Sequence, residues 1–249
     1  ALVQDSHRSP IPQIMELVDK LVPASVFPAQ RTAISSAIRD RSNWYELIMR
    51  IFHLNPSMRS RLLKTLIVDA NLLAWPVQQK SREREQCNIP WAILLDPTSA
   101  CNLHCTGCWA AEYGHALNLS YDDICSIIDQ GRELGTHIYI YTGGEPMVRK
   151  RDLIRICEKY PDCAFLCFTN ATLIDEEFCE DMIRVANFIP AISAEGTEAT
   201  TDARRGKGTY AKIMRAMELL RGHGLPFGIS ACWTSANADA IASECYFDW

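Results

Sequence analysis

The sequence has no long apolar run, no excess of positive charge and no obvious export signal. No stretch approaches the roughly 20 apolar residues of a membrane-spanning helix, so we expect no transmembrane segment. The formal net charge is -5, so we expect no nucleic-acid partner. The first residues lack the basic start and apolar centre of a secretory signal. These absences favour a globular protein of the cytoplasm.

A disulfide-stapled scaffold is also disfavoured. The 11 cysteines are odd in number, and most stand singly among apolar residues. A secreted disulfide scaffold is normally shorter and richer in loops. We interpret the scattered cysteines as small core residues in a reducing cytoplasm.

Residues 1–87 are predicted to form a helical N-terminal region. Apolar residues recur at helical spacing at Ile14, Leu17, Val18 and Leu21. The simplest interpretation is that this region packs structurally against the domain that follows.

The charge of the chain changes between its two parts. Residues 1–90 carry 12 Lys/Arg and 8 Asp/Glu, a net of +4, whereas residues 91–249 carry 13 and 22, a net of -9. Three cations, Arg59, Arg61 and Lys64, flank the apolar stripe 62–68. An alternative role for residues 1–87 is therefore peripheral contact with a membrane surface or an acidic protein.

From residue 88 onward the pattern predicts an α/β domain, which we assign to residues 88–249. Short apolar or β-branched segments, read as strands, alternate with amphipathic helical segments, and this alternation favours a parallel sheet with outer helices. The predicted strands are 91–95, 137–141, 164–169, 188–193 and 227–233. We expect a partial TIM-like (β/α) barrel, truncated at its C-terminus, because too few residues remain for a full barrel.

A cysteine-rich loop follows the first predicted strand. Cys101, Cys105 and Cys108 have the spacing C-x3-C-x2-C. Thiolates are soft ligands that suit zinc or iron–sulfur clusters. Three cysteines leave one iron of a four-iron cluster without a protein ligand and free to bind a substrate. Catalysis at the cluster requires such an open iron, whereas electron storage does not. The loop also follows a parallel strand, where ligands gather in α/β folds.

Two other interpretations of the loop remain open. His104 could complete a zinc knuckle, although its position directly before Cys105 makes a shared tetrahedral ion awkward. An additional cysteine ligand would instead indicate an electron-transfer or iron–sulfur binding protein, for which Cys87, Cys125 and Cys163 are candidates.

The loop resembles the signature of the radical S-adenosylmethionine (radical SAM) superfamily. The resemblance implies that Cys101, Cys105 and Cys108 bind a [4Fe–4S] cluster. The family often has an aromatic residue before the last cysteine, where this chain has Gly107, and Trp109 follows instead. Gly107 and Trp109 are therefore both candidates for the residue near the adenine.

A second motif supports the resemblance. Gly143, Gly144 and Glu145, followed by Pro146, lie directly after the second predicted strand. In the family such a stretch receives the amino group of the methionine moiety. Glycines allow close backbone approach to the ligand, and carbonyls or a carboxylate can accept hydrogen bonds from an ammonium group.

Three weaker matches lie further along the chain. Asn170 ends the third predicted strand and Ser193 ends the fourth. The segment from Ser193 to Arg205 resembles one in peptide-modifying members of the family. The resemblance implies that Ser193 faces the ribose and Arg205 the methionine carboxylate.

The resemblance implies reductive cleavage of S-adenosylmethionine to a 5′-deoxyadenosyl radical, which abstracts hydrogen from an unidentified substrate such as a peptide or lipid. It also implies a flavodoxin or ferredoxin as reductant. The alternatives are an electron-transfer or iron–sulfur binding protein and an inactive, truncated member of the family.

Overall fold

The computed structural model of the protein describes residues 13, 15–16, 19–20, 23–25, 27–244 and 246. The predicted helical positions Ile14, Leu17, Val18 and Leu21 lie outside these described residues. Within them, no helix is long and apolar enough to cross a membrane.

The chain divides into two compact units, of which the first ends at Leu54 and the second begins at Asn55. The first unit contains helices α1 (Pro28–Asp40) and α2 (Asn43–Ile51). Pro28 occupies the first turn of α1, where a missing N–H costs nothing.

The second unit opens with three consecutive helical segments. These are α3 (Pro56–Leu63), a π-helical stretch (Lys64–Leu73) and α4 (Ala74–Glu85). The side chain of Asn55 caps α3 by accepting hydrogen bonds from the next turn. Met58 and Leu62 are buried in the same core as the sheet, so α3 packs with the α/β unit. The change in charge and composition near residue 87 therefore does not coincide with the division between compact units at Leu54.

The apolar stripe at residues 62–68, which cations flank, is divided between the core and the surface. Leu62 faces the core, whereas Ile67 and Val68 are exposed. Lys64 is paired with Asp69 at 2.6 Å. The stripe is thus only partly available for a surface contact.

A parallel five-stranded sheet forms the centre of the second unit, which confirms the predicted α/β class. The strands lie in sequence order, each paired with the next in parallel. They are β1 (Ala92–Leu95), β2 (Ile138–Tyr141), β3 (Ala164–Thr169), β4 (Phe188–Ser193) and β5 (Gly228–Ser230). The longer connecting helices are α5 (Tyr121–Leu134), α6 (Lys150–Lys159), α7 (Glu176–Val185), α8 (Glu198–Arg205) and α9 (Thr209–Gly222). A four-residue helix, α10 (Ala238–Ile241), follows β5.

The structure confirms that most single cysteines are core residues. The cysteines at 125, 157, 163, 167 and 179 are buried, and all ten described cysteines are free thiols. Phe165 on β3 stacks against Tyr139 and Tyr141 of β2. This stacking packs β2 against β3. Because all five strands are parallel, their carboxyl ends lie along one edge of the sheet.

The sequence predictions missed two features that shape this edge. Helix α8 follows β4 and was not predicted as a helix, because its segment EATTDARR is short and strongly polar. Strand β5 ends at Ser230 rather than at Trp233. Residues 231–233 therefore belong to the loop at the sheet edge.

Candidate functional site

A cavity of about 350 Å³ opens at the carboxyl ends of the strands. This is where α/β folds bind their ligands. Ten of the eleven predicted site residues line it, namely Cys101, Cys105, Cys108, Trp109, Gly143, Gly144, Glu145, Asn170, Ser193 and Arg205. Gly107 does not line the cavity. It adopts a left-handed turn conformation (φ 68°), and a Cβ added to it would have no neighbour within 4 Å.

The loop that carries the three cysteines is held from two sides. Asn170, at the end of β3, donates from Nδ2 to Oδ1 of Asn102 at 2.8 Å. Asn102 in turn donates to the hydroxyl of Thr172 at 2.8 Å. On the other side, the N–H of Thr106 donates to the carbonyl of Arg204 in α8 at 2.8 Å. The loop is therefore fixed against both β3 and α8.

The three thiols are half-buried and face a common cavity. Burial raises the pKa of the Cys101 thiol, although a hydrogen bond from the N–H of Leu103 opposes this. Burial likewise raises the pKa of the Cys105 thiol, against the positive charge of Arg205. Neutral thiols of this kind become thiolate ligands when a metal displaces the proton.

A single metal ion needs ligand atoms that lie close to one another. Within the described part of the chain, only His137, Asp162 and Cys163 form a trio with ligand atoms within 4.8 Å of one another. That trio lies at the opposite end of the strands, and its carboxylate is already paired with Arg132. The three loop cysteines are not such a trio. A cluster binds each thiolate through a different iron and therefore does not require the sulfurs to converge on one ion.

Gly143 and Gly144 are required by close backbone packing. A Cβ at Gly144 would lie 2.3 Å from the carbonyl oxygen of Ala100, and one at Gly143, where φ is +106°, would lie 2.7 Å from that of Thr98. From the sequence, we expect these glycines to permit approach to a ligand. In the structure they permit approach of the cysteine loop. Their carbonyl oxygens accept no hydrogen bond from any described residue and remain available to a ligand.

The carboxylate of Glu145 lines the cavity and is also engaged by neighbouring residues. The side chain is 2% exposed. It accepts hydrogen bonds from the hydroxyl of Thr169 and from the backbone N–H groups of Met147 and Asn170. Burial raises the pKa of Glu145, and these three donors oppose the rise. The carboxylate therefore anchors the ends of β2 and β3 to each other.

Asn170 is similarly engaged. Its Oδ1 accepts from the backbone N–H and the hydroxyl of Thr172, at 3.0 and 2.7 Å, and its Nδ2 binds Asn102. This leaves little hydrogen-bonding capacity for a ligand. Ser193, at the end of β4, also lines the cavity, and its side chain makes no hydrogen bond to another described residue.

A buried charge cluster forms the wall next to α8. Glu195 is fully buried, and its Oε1 accepts from Arg204 at 2.6 Å and from Nε of Arg205 at 2.9 Å. Its Oε2 accepts from the N–H of Cys232 at 2.9 Å. Two guanidinium groups share one carboxylate, so the wall carries one net positive charge. Arg205 thus reaches the cavity as predicted, but as one member of this cluster.

Sequence reasoning missed several residues that line the cavity. Arg204 adjoins a predicted residue, and Phe168 and Thr169 belong to the end of a predicted strand. The position of that strand end could have identified these two, whereas Ser230 falls within the predicted strand 227–233 and marks the end of β5 only in the structure. Cys232 is a fourth thiol at the cavity. The cysteines named as further ligands do not line it, since Cys125 and Cys163 are buried in the core and Cys87 lies elsewhere.

Comparisons with known proteins match the α/β part of the chain. The family model described as the Radical SAM superfamily matches residues 95–235. An AdoMet-dependent heme synthase of Methanosarcina barkeri is 30% identical over 160 residues, which are 62% of this chain and 46% of that protein. A serine-type anaerobic sulfatase-maturating enzyme of Klebsiella aerogenes is 28% identical over 163 residues, 57% of this chain and 39% of that protein. The chain thus spans less than half the length of these relatives.

Solved structures show the same fold. The structure of anSMEcpe with bound AdoMet aligns with a TM-score of 0.55 at 24% identity, covering 63% of this chain and 48% of that one. Streptococcus suis SuiB bound to the precursor peptide SuiA also aligns with a TM-score of 0.55, at 17% identity, covering 69% of this chain and 40% of that one. The sheet is therefore the partial barrel that the sequence predicted.

Proposed function

Because the chain belongs to the radical SAM superfamily, we propose that it cleaves S-adenosylmethionine reductively and uses the product to abstract hydrogen from a substrate. The cofactors of this enzyme family are a [4Fe–4S] cluster and S-adenosylmethionine. When bound, they supply one-electron chemistry that no amino-acid side chain provides. The observation that carries the proposal is the convergence of three loop cysteines, a glycine pair and an arginine cluster on one cavity.

Each wall of the cavity has its own role in this proposal. Cys101, Cys105 and Cys108 bind the cluster. The free carbonyl oxygens of Gly143 and Gly144 accept hydrogen bonds from the ammonium group of S-adenosylmethionine.

The arginine wall receives the opposite end of the amino-acid moiety. Its net positive charge, from Arg204 and Arg205 against Glu195, attracts the carboxylate. The free hydroxyl of Ser193 binds the ribose. Trp109, which is 61% exposed at the rim, covers the adenine.

Anaerobic reconstitution with iron and sulfide tests the proposal. After reduction, the EPR spectrum should change when S-adenosylmethionine is added, and 5′-deoxyadenosine should form. Cys105→Ala should abolish both signals. Cys87→Ala is the matched control, since Cys87 is exposed and lies outside the cavity. If Cys105→Ala retained full cleavage, the assignment of the cluster ligands would be wrong.

One observation favours a second function. Cys232 lines the same cavity as the loop cysteines, and a fourth thiolate would complete the ligation of a cluster. The protein would then be an iron–sulfur electron-transfer protein. In that case the EPR spectrum would not respond to S-adenosylmethionine in the wild type, and Cys232→Ala would restore the response. If the wild type responds, the radical enzyme is favoured.

The remaining partners are proposals as well. A flavodoxin or ferredoxin supplies the electron, and the protein acts in the cytoplasm, where its free thiols stay reduced. Peripheral contact through residues 1–87 is supported by Trp44 and Leu47, which are 69% and 52% exposed one turn apart on α2. Sedimentation with anionic liposomes tests this contact, and absence of binding at low salt would exclude a membrane.

A further inference from the structure

A second cavity, of about 390 Å³, adjoins the cofactor cavity. Its walls come from the end of β1, from the short 3₁₀ helix Trp109–Tyr113 and from residues 117–119. It shares Trp109 and the pair Gly143–Gly144 with the cofactor cavity. A molecule bound here would therefore lie directly beside S-adenosylmethionine.

Large apolar side chains surround this cavity and are open to solvent. Trp109, Tyr113 and Leu117 are 61%, 56% and 62% exposed. The rings of Trp109 and Tyr113 meet edge to face, with centroids 5.8 Å apart and an interplanar angle of 77°. Clustered exposure of this kind marks a binding surface.

Most polar groups of the cavity are already satisfied. The hydroxyl of Thr98 donates to Oδ1 of Asn118 at 2.6 Å, and Nδ2 of Asn118 donates to a backbone carbonyl at 3.2 Å. The hydroxyl oxygen of Ser99 accepts from the N–H of Leu117 at 3.1 Å. These groups shape the cavity and leave little capacity to recognise a ligand.

Asp96 differs from these neighbours. It is exposed at the carboxyl end of β1, and its Oδ1 accepts from the hydroxyl of Thr142 at 2.9 Å. It forms no ion pair with any described residue. The cavity thus combines one carboxylate without a cationic partner with two aromatic side chains. Both the carboxylate and the aromatic rings favour the binding of a cation in this cavity.

We propose that this second cavity binds a positively charged group of the substrate, an amine or guanidinium attached to an apolar portion. The apolar portion packs on Tyr113 and Leu117, while the cation pairs with Asp96. This inference rests on the proposed radical function for the identity of the ligand as substrate. It goes further by stating the chemical class that the enzyme selects.

A pair of small probes tests the charge preference. Phenylbutylamine, which is an ammonium ion at neutral pH, and phenylbutanol, its neutral counterpart, are titrated calorimetrically into the reconstituted protein at low salt. We expect the ammonium probe to bind about fivefold more tightly, as for an exposed cation–π or ion-pair contact. Asp96→Asn should reduce this preference to less than about twofold. Tyr113→Leu, which keeps apolar area but removes the ring, should also weaken it.

The control variant is Glu177→Gln, which removes an exposed carboxylate in the first turn of α7 and should leave the preference unchanged. Equal binding of the two probes, or an unchanged preference in Asp96→Asn, would overturn the inference. Displacement of the ammonium probe by S-adenosylmethionine would also overturn it, because the cavity would then belong to the cofactor. Formation of 5′-deoxyadenosine by the wild type is measured separately, so failure of the radical function is distinguishable.

Discussion

Replacing Gly144 with alanine places a methyl carbon where the cysteine loop already packs. The new Cβ would lie 2.3 Å from the carbonyl oxygen of Ala100 and 2.6 Å from that of Ser99. Ordinary contacts are about 3.5 Å or longer, so the loop must move by about 1 Å. Overpacking of this kind costs about 1–3 kcal/mol. The hydrogen bond from the N–H of Gly144 to Thr98, at 2.9 Å, would weaken as well, at about 1 kcal/mol.

The expected loss of about 2–4 kcal/mol leaves the protein folded but displaces the loop that carries the cluster ligands. Urea denaturation measures the stability, and iron per chain after anaerobic reconstitution measures the site. We expect Gly144→Ala to lower both. Gly228→Ala is the control, because nothing lies within 4 Å of its added Cβ, and it should change stability by less than about 0.5 kcal/mol. Wild-type stability and iron content in Gly144→Ala would refute the packing argument.

Three further predictions follow from other contacts. Glu195→Gln leaves two largely buried guanidinium groups without their carboxylate and should cost about 3–5 kcal/mol in urea denaturation, whereas Glu198→Gln on the surface of α8 should cost little. Burial raises the pKa of Asp175, but the hydrogen bond from Lys150 lowers it overall. Ionised Asp175 therefore stabilises the folded protein above the pKa of an ordinary aspartate, and this stabilisation is lost as the pH falls through the lowered pKa of Asp175 in the folded protein. The difference in urea midpoint between wild type and Asp175→Asn should accordingly vanish in acid. Asn102→Ala removes a tether of the cysteine loop and should hasten loss of cluster absorbance to a chelator, while an unchanged rate would contradict that role.

The parallel sheet was predictable because its signals are local. Strands β2 to β4 are short apolar runs, and amphipathic segments at helical spacing alternate with them along the chain. The cysteine spacing and the glycine pair are local as well. Parallel strands bring their carboxyl ends to one edge, so the order of these motifs predicted that they would meet in one cavity.

The contacts that order the site could not be predicted, because they join distant residues. Asn102 and Asn170 are 68 positions apart, and the carboxylate of Glu145 binds a hydroxyl 24 positions away. Nothing in the local sequence distinguishes a polar side chain that holds the scaffold from one that faces a ligand. Glu145 and Asn170 are predicted to contact the cofactor, and in the structure both line the cavity while their side chains also hold the strand ends and the cysteine loop.

Besides these two hydrogen-bonded side chains, the cavity offers two other kinds of polar group. Free backbone carbonyls lie at the end of β2, and one net positive charge lies next to α8. The amino-acid part of S-adenosylmethionine has an ammonium group at one position and a carboxylate at another. Under the proposed function, acceptors on one wall and cations on another would therefore orient this zwitterion in a single direction. The buried Glu195 limits the arginine wall to one unit of charge, which suffices for one carboxylate and avoids the self-repulsion of two unpaired cations.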